Sequence, residues 1–167
     1  MRKGQEEIVG FVLIMVIMAV VLLVFLGIMI RNGDSEVKES KDVYQFLESI
    51  SEITTECQIS SIEYGKLGDL FGKCLDKKTC FNDLDSCEVL NSTLSRLMES
   101  SWNVDSESKI KGYIFESHYE NSGNYSVDDG KEIIKLDKGN CSSNIRGASY
   151  PIPSFPGKII NTFKLCF

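Results

Sequence analysis

The chain is poor in histidine. Its 167 residues contain one, His118, so a His-rich metal centre is excluded and histidine-based catalysis would rest on a single side chain. It also has no excess of positive charge. Eighteen Lys and Arg stand against 24 Asp and Glu, for a net charge of −6 and a pI near 4.9. A general nucleic-acid binder needs a basic face to displace counterions from phosphates, so no nucleic acid is expected as a partner. Phosphate-cradling loops are missing: Gly65, Gly68 and Gly72 form neither G-x-G-x-x-G nor a loop ending in Gly-Lys-Ser/Thr. No G-x-S-x-G accompanies His118, which reads as a surface or satisfied sheet residue. An EF-hand-type calcium loop is absent too, so Asp83, Asp85, Asp128 and Asp129 read as turn and cap residues. These absences predict no catalytic residue, no metal and no cofactor, and the chain is not expected to be an enzyme. With 43% hydrophobic and 25% charged residues it is neither a disordered polyampholyte nor a collagen-like repeat.

What is present is unevenly spread. Ile8 to Ile30 is a run of 23 residues without a charge and without Pro, Asn, Gln, Ser or Thr, and seventeen of them are Leu, Ile, Val or Phe. At 1.5 Å per residue a helix of this length reaches roughly 34 Å, enough for about 30 Å of hydrocarbon with some tilt. A buried helix of a soluble protein is the alternative, but about 140 remaining residues could hardly cover a helix that is apolar all round. The run exceeds the roughly 7–15 apolar residues of a secretory signal, and no A-x-A-like site follows it, so an anchor that stays attached is expected in membrane lipid. Arg2 and Lys3 precede the span, whereas Arg31 is followed by Asp34 and Glu36. The positive-inside bias places the N-terminus in the cytoplasm and the C-terminal part outside the cell.

The residues before the span are Met1-Arg2-Lys3-Gly4-Gln5-Glu6-Glu7. Together with the apolar run they resemble the class III signal of type IV pilins, in particular archaeal pilin-like proteins. The resemblance covers about 30 residues. It implies a leader ending at Gly4, cleavage by a prepilin peptidase and Gln5 as the first mature residue. It also implies an assembly helix at Ile8–Ile30 that packs with self or other pilin subunits in a filament core. Many pilins carry a glutamate at the fifth mature position, able to neutralise a neighbour's N-terminal amine. Here that position is Val9, and the carboxylates Glu6 and Glu7 stand at positions two and three. They are the candidate assembly charges, since an isolated carboxylate at membrane depth is costly. Their displacement favours a minor pilin or a plain anchor over a major pilin. As plain residues they are two acids favoured by a helix N-terminus.

Residues 31–167 form the expected extracytoplasmic domain, after a leader region at 1–7 and the helix at 8–30. Val43, Phe46, Leu47, Ile50, Ile53 and Cys57 keep helical spacing and predict a helix over 41–58, either continuing the membrane helix as a spine or separate from it. Residues 59–83 read as irregular. Asp85 followed by Glu88 predicts the capped start of a second helix, with Cys87, Leu90, Leu94, Leu97 and Met98 as its apolar stripe and its end near Ser101–Trp102. Strands are expected at 109–119, 131–136, 148–152 and 158–167, with Pro151 and Pro153 marking the third as an edge. Helices first and strands afterwards predict an α+β fold with a C-terminal antiparallel sheet, the head that the pilin resemblance also implies.

Cys57, Cys74, Cys80, Cys87, Cys141 and Cys166 all fall on the outer side. An even count in an oxidising compartment predicts disulfides. Zinc is disfavoured, because no C-x-x-C occurs and His118 is remote in sequence. Six cysteines allow 15 connectivities. We expect Cys141 with Cys166, and the others paired within 57–87 apart from one helix-to-helix link. Asn91, Asn124 and Asn140 begin N-x-Ser/Thr triplets and are glycosylation candidates, Asn124 the best because of its Gly/Ser/Asn-rich surroundings. The expected function is that of a structural subunit of an archaeal type IV pilus-like filament, a class associated with cell adhesion. The alternative is a monomeric single-pass anchor presenting an extracellular binding domain.

Overall fold

The computed structural model describes residues 3–31, 38–105, 107–121, 130–142 and 144–167, and within the first helix the side chains of 12–27. The chain forms two compact units, Met1–Glu36 and Val37–Phe167. The first is helix α1, Lys3–Arg31, 29 residues long. Its apolar run holds no Pro and no Ser, Thr, Asn or Asp side chain to compete for backbone hydrogen bonds, and Gly10 and Gly27 cost only backbone entropy, so the helix runs without a break.

The second unit is α+β. It opens with β1 (Lys38–Glu39) and α2 (Lys41–Ser51), followed by β2 (Thr54–Gln58), β3 (Tyr64–Lys66), α3 (Leu67–Leu75) and α4 (Ser86–Ser101). Four long strands close the chain: β4 (Gly112–Glu120), β5 (Glu132–Gly139), β6 (Ile145–Ser154) and β7 (Gly157–Cys166). The main sheet has the order β1-β6-β7-β4-β5, and β2 and β3 make a separate antiparallel pair. The long strands are antiparallel, but β1 runs parallel to β6, with Lys38 opposite Arg146.

Period-two alternation decides which face of the sheet is covered. Tyr113, Phe115, Ser117 and Tyr119 of β4 point inward, as do Ile159, Asn161, Phe163 and Leu165 of β7. Helices cover this face. α2 contributes Val43, Leu47 and Ile50, α3 contributes Leu67, Leu70 and Phe71, and α4 contributes Val89, Leu90, Leu94 and Met98. Phe163 is the hub: its ring lies 5.6 Å from Phe46, 6.0 Å from both Trp102 and Tyr113, and 6.4 Å from Phe115.

The sequence reading needs two corrections. The first helix of this unit stops at Ser51, not at 58, and Thr54–Gln58 turns into a strand. Its register is set by the buried Thr55 hydroxyl, which donates to the Gly65 carbonyl oxygen at 2.8 Å, and by a bond from Cys57. Residues 59–83 are not irregular throughout, since β3 and α3 lie there. Of the two readings of the 41–58 helix, the separate one applies, since β1 precedes α2 in the chain. The expected C-terminal antiparallel sheet is present in β4–β7, and β1 joins it in parallel beside β6. The edge reading of the proline strand fits in physical terms: β1 covers only Arg146 and Gly147, so Pro151 and Pro153 sit on an open side of β6.

Candidate assembly surfaces

Three regions stand out in the described residues. The first is α1. From Val12 to Leu26 every large apolar side chain is exposed in the single chain. Such continuous apolar exposure marks a surface that meets another phase or another chain. Among the residues described in full, no helix is long and apolar enough to cross a membrane; in α1 these are residues 12–27, while the backbone helix extends from Lys3 to Arg31. Gly4, Gln5, Glu6 and Glu7 lie in the first turns of α1, and their side chains are outside the described residues.

The second region is the set of disulfides. Cys57 joins Cys80, Cys74 joins Cys87 and Cys141 joins Cys166. The expected C-terminal link is present. The other four pair within 57–87, and Cys74–Cys87 ties α3 to the first turn of α4. Asp85 caps that helix, accepting from the Cys87 and Glu88 amides at 2.8 and 2.9 Å. Cys57–Cys80 fastens the loop of residues 76–85 onto β2. Asn82 strengthens the attachment by accepting from the Gln58 amide and donating to the Glu56 carbonyl oxygen. The Phe81 amide adds a bond to the Gln58 carbonyl oxygen at 2.8 Å. The β2–β3 hairpin and this loop together carry Ile59, Ile62, Tyr64, Phe81 and Leu84 in the open. Among the described residues only Tyr44 and Phe155 are comparable apolar exposures in this unit. Sequence reasoning missed the cluster, whose members follow neither a helical nor a strand period.

The third region is the solvent face of the sheet, which is a charged ladder. Glu116 receives Lys135 at 2.8 Å and Lys164 at 3.5 Å. Glu120 receives Lys158 at 3.0 Å and lies 3.4 Å from His118 Nε2. Hydrogen bonding to Lys135, with Lys164 beside it, holds the Glu116 carboxyl below its usual value of 4.5, and Lys135 is raised in turn. Lys158, then His118, depresses Glu120. His118 thus lies beside a carboxylate on the solvent side of the sheet.

The sign of the Glu116 effect is fixed. Its folded-state value is depressed, so its stabilisation is complete above the unfolded value of 4.5 and is lost as pH falls through the lower folded value. Exposed pairs of this kind contribute at most about 0.2–1 kcal/mol. Glu116→Gln should cost that amount near neutral pH and remove part of the loss of stability below pH 4.5. Urea midpoints measured across the acid range check this, and superimposable acid limbs for parent and variant would refute it.

The glycosylation candidates separate. Asn91 and Asn140 are exposed, Asn91 in α4 and Asn140 just after β5, while Asn124 lies outside the described residues. Thr93, the hydroxyl residue of the Asn91 triplet, is buried inside α4. No group of side chains able to hold a metal ion occurs among the described residues. No family model, no curated protein and no solved structure matches the chain.

Proposed function

We propose that the chain is a structural subunit of a type IV pilin-like surface filament, anchored and assembled through its N-terminal helix with its disulfide-linked domain outside the cell. The observation that carries this is the junction at Gly4: a short basic leader, then Gln5-Glu6-Glu7, then 23 uncharged apolar residues. Two features support it. α1 is continuous over that junction and the whole apolar run, and the remaining chain forms a separate compact unit with its own core and three disulfides. Disulfides of this density belong to oxidising compartments.

In this reading Ile8–Ile30 holds the precursor in the lipid, and a prepilin peptidase cuts after Gly4. Neighbouring helices then exchange lipid for one another, with Glu6 and Glu7 close to the new amino termini. The placement of Val9 at the fifth mature position favours a minor subunit over a major one. The same placement keeps a second reading alive, a monomeric anchor displaying a binding domain.

Mass spectrometry of the mature N-terminus separates the two. A chain starting at Gln5 supports the filament reading, and an intact Met1-Arg2-Lys3 overturns it. Gly4→Phe should abolish processing altogether, because a peptidase subsite fitted to glycine has no room for a benzyl group. Unchanged processing of Gly4→Phe would contradict the cleavage assignment.

A further inference from the structure

We infer that the core of the folded domain contains a binding site for one water molecule, held by Asn161 and Ser117 of the sheet and by Ser51 at the end of α2, and that this water is a polar link between the helix layer and the sheet. The inference goes beyond the filament reading and does not rest on it.

Three buried hydroxyls of this domain find backbone partners. Thr55 donates to the Gly65 carbonyl oxygen, Ser86 to that of Lys78 and Ser51 to that of Glu48. Two places among the described residues depart from this: the Trp102 indole nitrogen after α4, and a pair within the sheet. The pair is Asn161 of β7 and Ser117 of β4, which stand opposite each other in register. They are 3% and 0% exposed. Neither Asn161 Oδ1 nor Ser117 Oγ has a hydrogen-bond partner among the described residues, so they do not bond to each other. An amide oxygen and a hydroxyl withdrawn from water with nothing in exchange carry their full desolvation cost. Two such atoms side by side on the covered face are accounted for by one guest that serves both.

Room for that guest is present. The helices do not close completely on the sheet here: Leu47, Ile50, Ser51, Phe71, Phe115 and Asn161 line a cavity of about 10 Å³. One water needs roughly 10–15 Å³, so the cavity suits a single molecule and excludes anything larger. All six lining residues are buried, and none is ionisable, which matches a neutral guest rather than an ion. A wholly apolar cavity of this size stays dry, whereas a polar one holds water when about two to four partners surround it. Three are at hand. Ser117 is the cross-strand neighbour of Asn161, and such neighbours stand about 4.5–5.5 Å apart at Cβ, a gap that one water bridges. Ser51 has its own proton engaged with the Glu48 carbonyl oxygen at 2.7 Å, which leaves its oxygen to accept. The Ser117 hydroxyl then donates to the water, and the water donates to Asn161 Oδ1 and to Ser51 Oγ. Every donor and acceptor in the set is used.

The position of the partners gives the water its role. Val43, Leu47 and Ile50 hold α2 on the sheet through apolar burial, which has no preferred direction. The water adds directional bonds from the last residue of α2 to β7 and β4. It does so where α3 also comes close, since a side chain at Gly68 would press on the Ser51 carbonyl oxygen. A satisfied polar link at this junction resists sliding of α2 along the sheet. Ser51 is also the way out. It lines a second cavity, of about 180 Å³, together with the exposed Glu52, Lys66 and Asp69, so the water exchanges with solvent past this residue.

The test reads the water itself, on the full chain in detergent micelles. Oxygen-17 relaxation dispersion counts the water molecules that stay bound for longer than the protein takes to tumble. The parent is compared with a variant carrying both Ser117→Ala and Asn161→Leu, which removes the two sheet partners and keeps nearly the same side-chain shapes. The dispersion amplitude should fall by the contribution of one water, and any other outcome overturns the inference. Ser117→Ala alone changes a single atom and keeps the test standing if the double variant does not fold. With the water bound, loss of this hydroxyl leaves one of its bonds unmade, so the urea midpoint followed by the fluorescence of Trp102 should fall. In a dry core the same change removes an unpaired polar atom and raises the midpoint. A midpoint that stays or rises overturns the inference.

Discussion

Phe163→Ala is expected to remove about 3–5 kcal/mol of folding stability. Phe163 is fully buried, and four rings from three parts of the chain close on it: Phe46 of α2, Trp102 after α4, and Tyr113 and Phe115 of β4. Truncation removes transfer free energy and leaves a void that these stiff neighbours cannot fill, so the cost belongs near the upper end of that range. Aromatic pairs add about 0.5–1.5 kcal/mol each beyond their buried area. A domain of this size has about 5–15 kcal/mol in total, so the variant should unfold far more readily. Trp102 is the only tryptophan in the chain and lies 6.0 Å from Phe163, so its fluorescence follows unfolding of this core in urea. Phe163→Leu, which keeps much of the volume but loses the ring contacts, should cost less than Phe163→Ala. A loss below about 1 kcal/mol for Phe163→Ala would show that the helices are not held on the sheet through this ring.

The faces that meet at Phe163 were legible in the sequence because alternation is a strong signal. Tyr113, Phe115 and Tyr119 fall on one face of β4, and Ile159, Phe163 and Leu165 on one face of β7, as period two requires. The polar members of the same faces were not legible. Ser117 and Asn161 are register partners, both buried, and neither Ser117 Oγ nor Asn161 Oδ1 has a hydrogen-bond partner among the described residues. Hydropathy alone places such residues outside. α4 was legible for a different reason. Asp85 supplies its first-turn amides with an acceptor, and that chemistry is local to four consecutive residues.

α3 was hidden by Gly68 and Gly72, each of which costs a helix roughly 1 kcal/mol relative to alanine. Gly68 has a tertiary reason: a side chain there would press within 3.2 Å of the Ser51 carbonyl oxygen, where α2 ends. Close packing between helices thus overrides propensity, and a single sequence does not display it. The end of α2 was hidden by coincidence, since Ile53 and Cys57 keep helical spacing although Cys57 belongs to a strand bonded to Cys80. The candidate surfaces divide in the same way. The apolar run of α1 is written as one continuous segment. The exposed cluster draws Ile62 and Tyr64 from one segment and Phe81 from another, and the two segments are tied by the Cys57–Cys80 bond and Asn82.

Replacing that disulfide, by Cys57→Ala with Cys80→Ala, should cost about 3–4 kcal/mol. The bond closes 23 residues, which alone restricts the unfolded chain by about 3 kcal/mol; the 13-residue closure of Cys74–Cys87 gives about 0.5 kcal/mol less. Both sulfurs are buried, so their loss also leaves a small void between β2 and the loop. The effect should be local as well as global. Without the bond, the loop depends on the Phe81 amide and on Asn82, and such hydrogen bonds contribute about 0.5–1.5 kcal/mol each. Hydrogen exchange at the Gln58 and Phe81 amides should accelerate more than the global loss requires, while Phe115 and Phe163 in the sheet should follow the global value. Asn82→Ala should reproduce the local acceleration at a global cost of about 1–2 kcal/mol. Equal acceleration throughout would mean that the loop of residues 76–85 has no local order of its own to lose, and a global cost under about 1 kcal/mol would mean that Cys57–Cys80 does not constrain the unfolded chain.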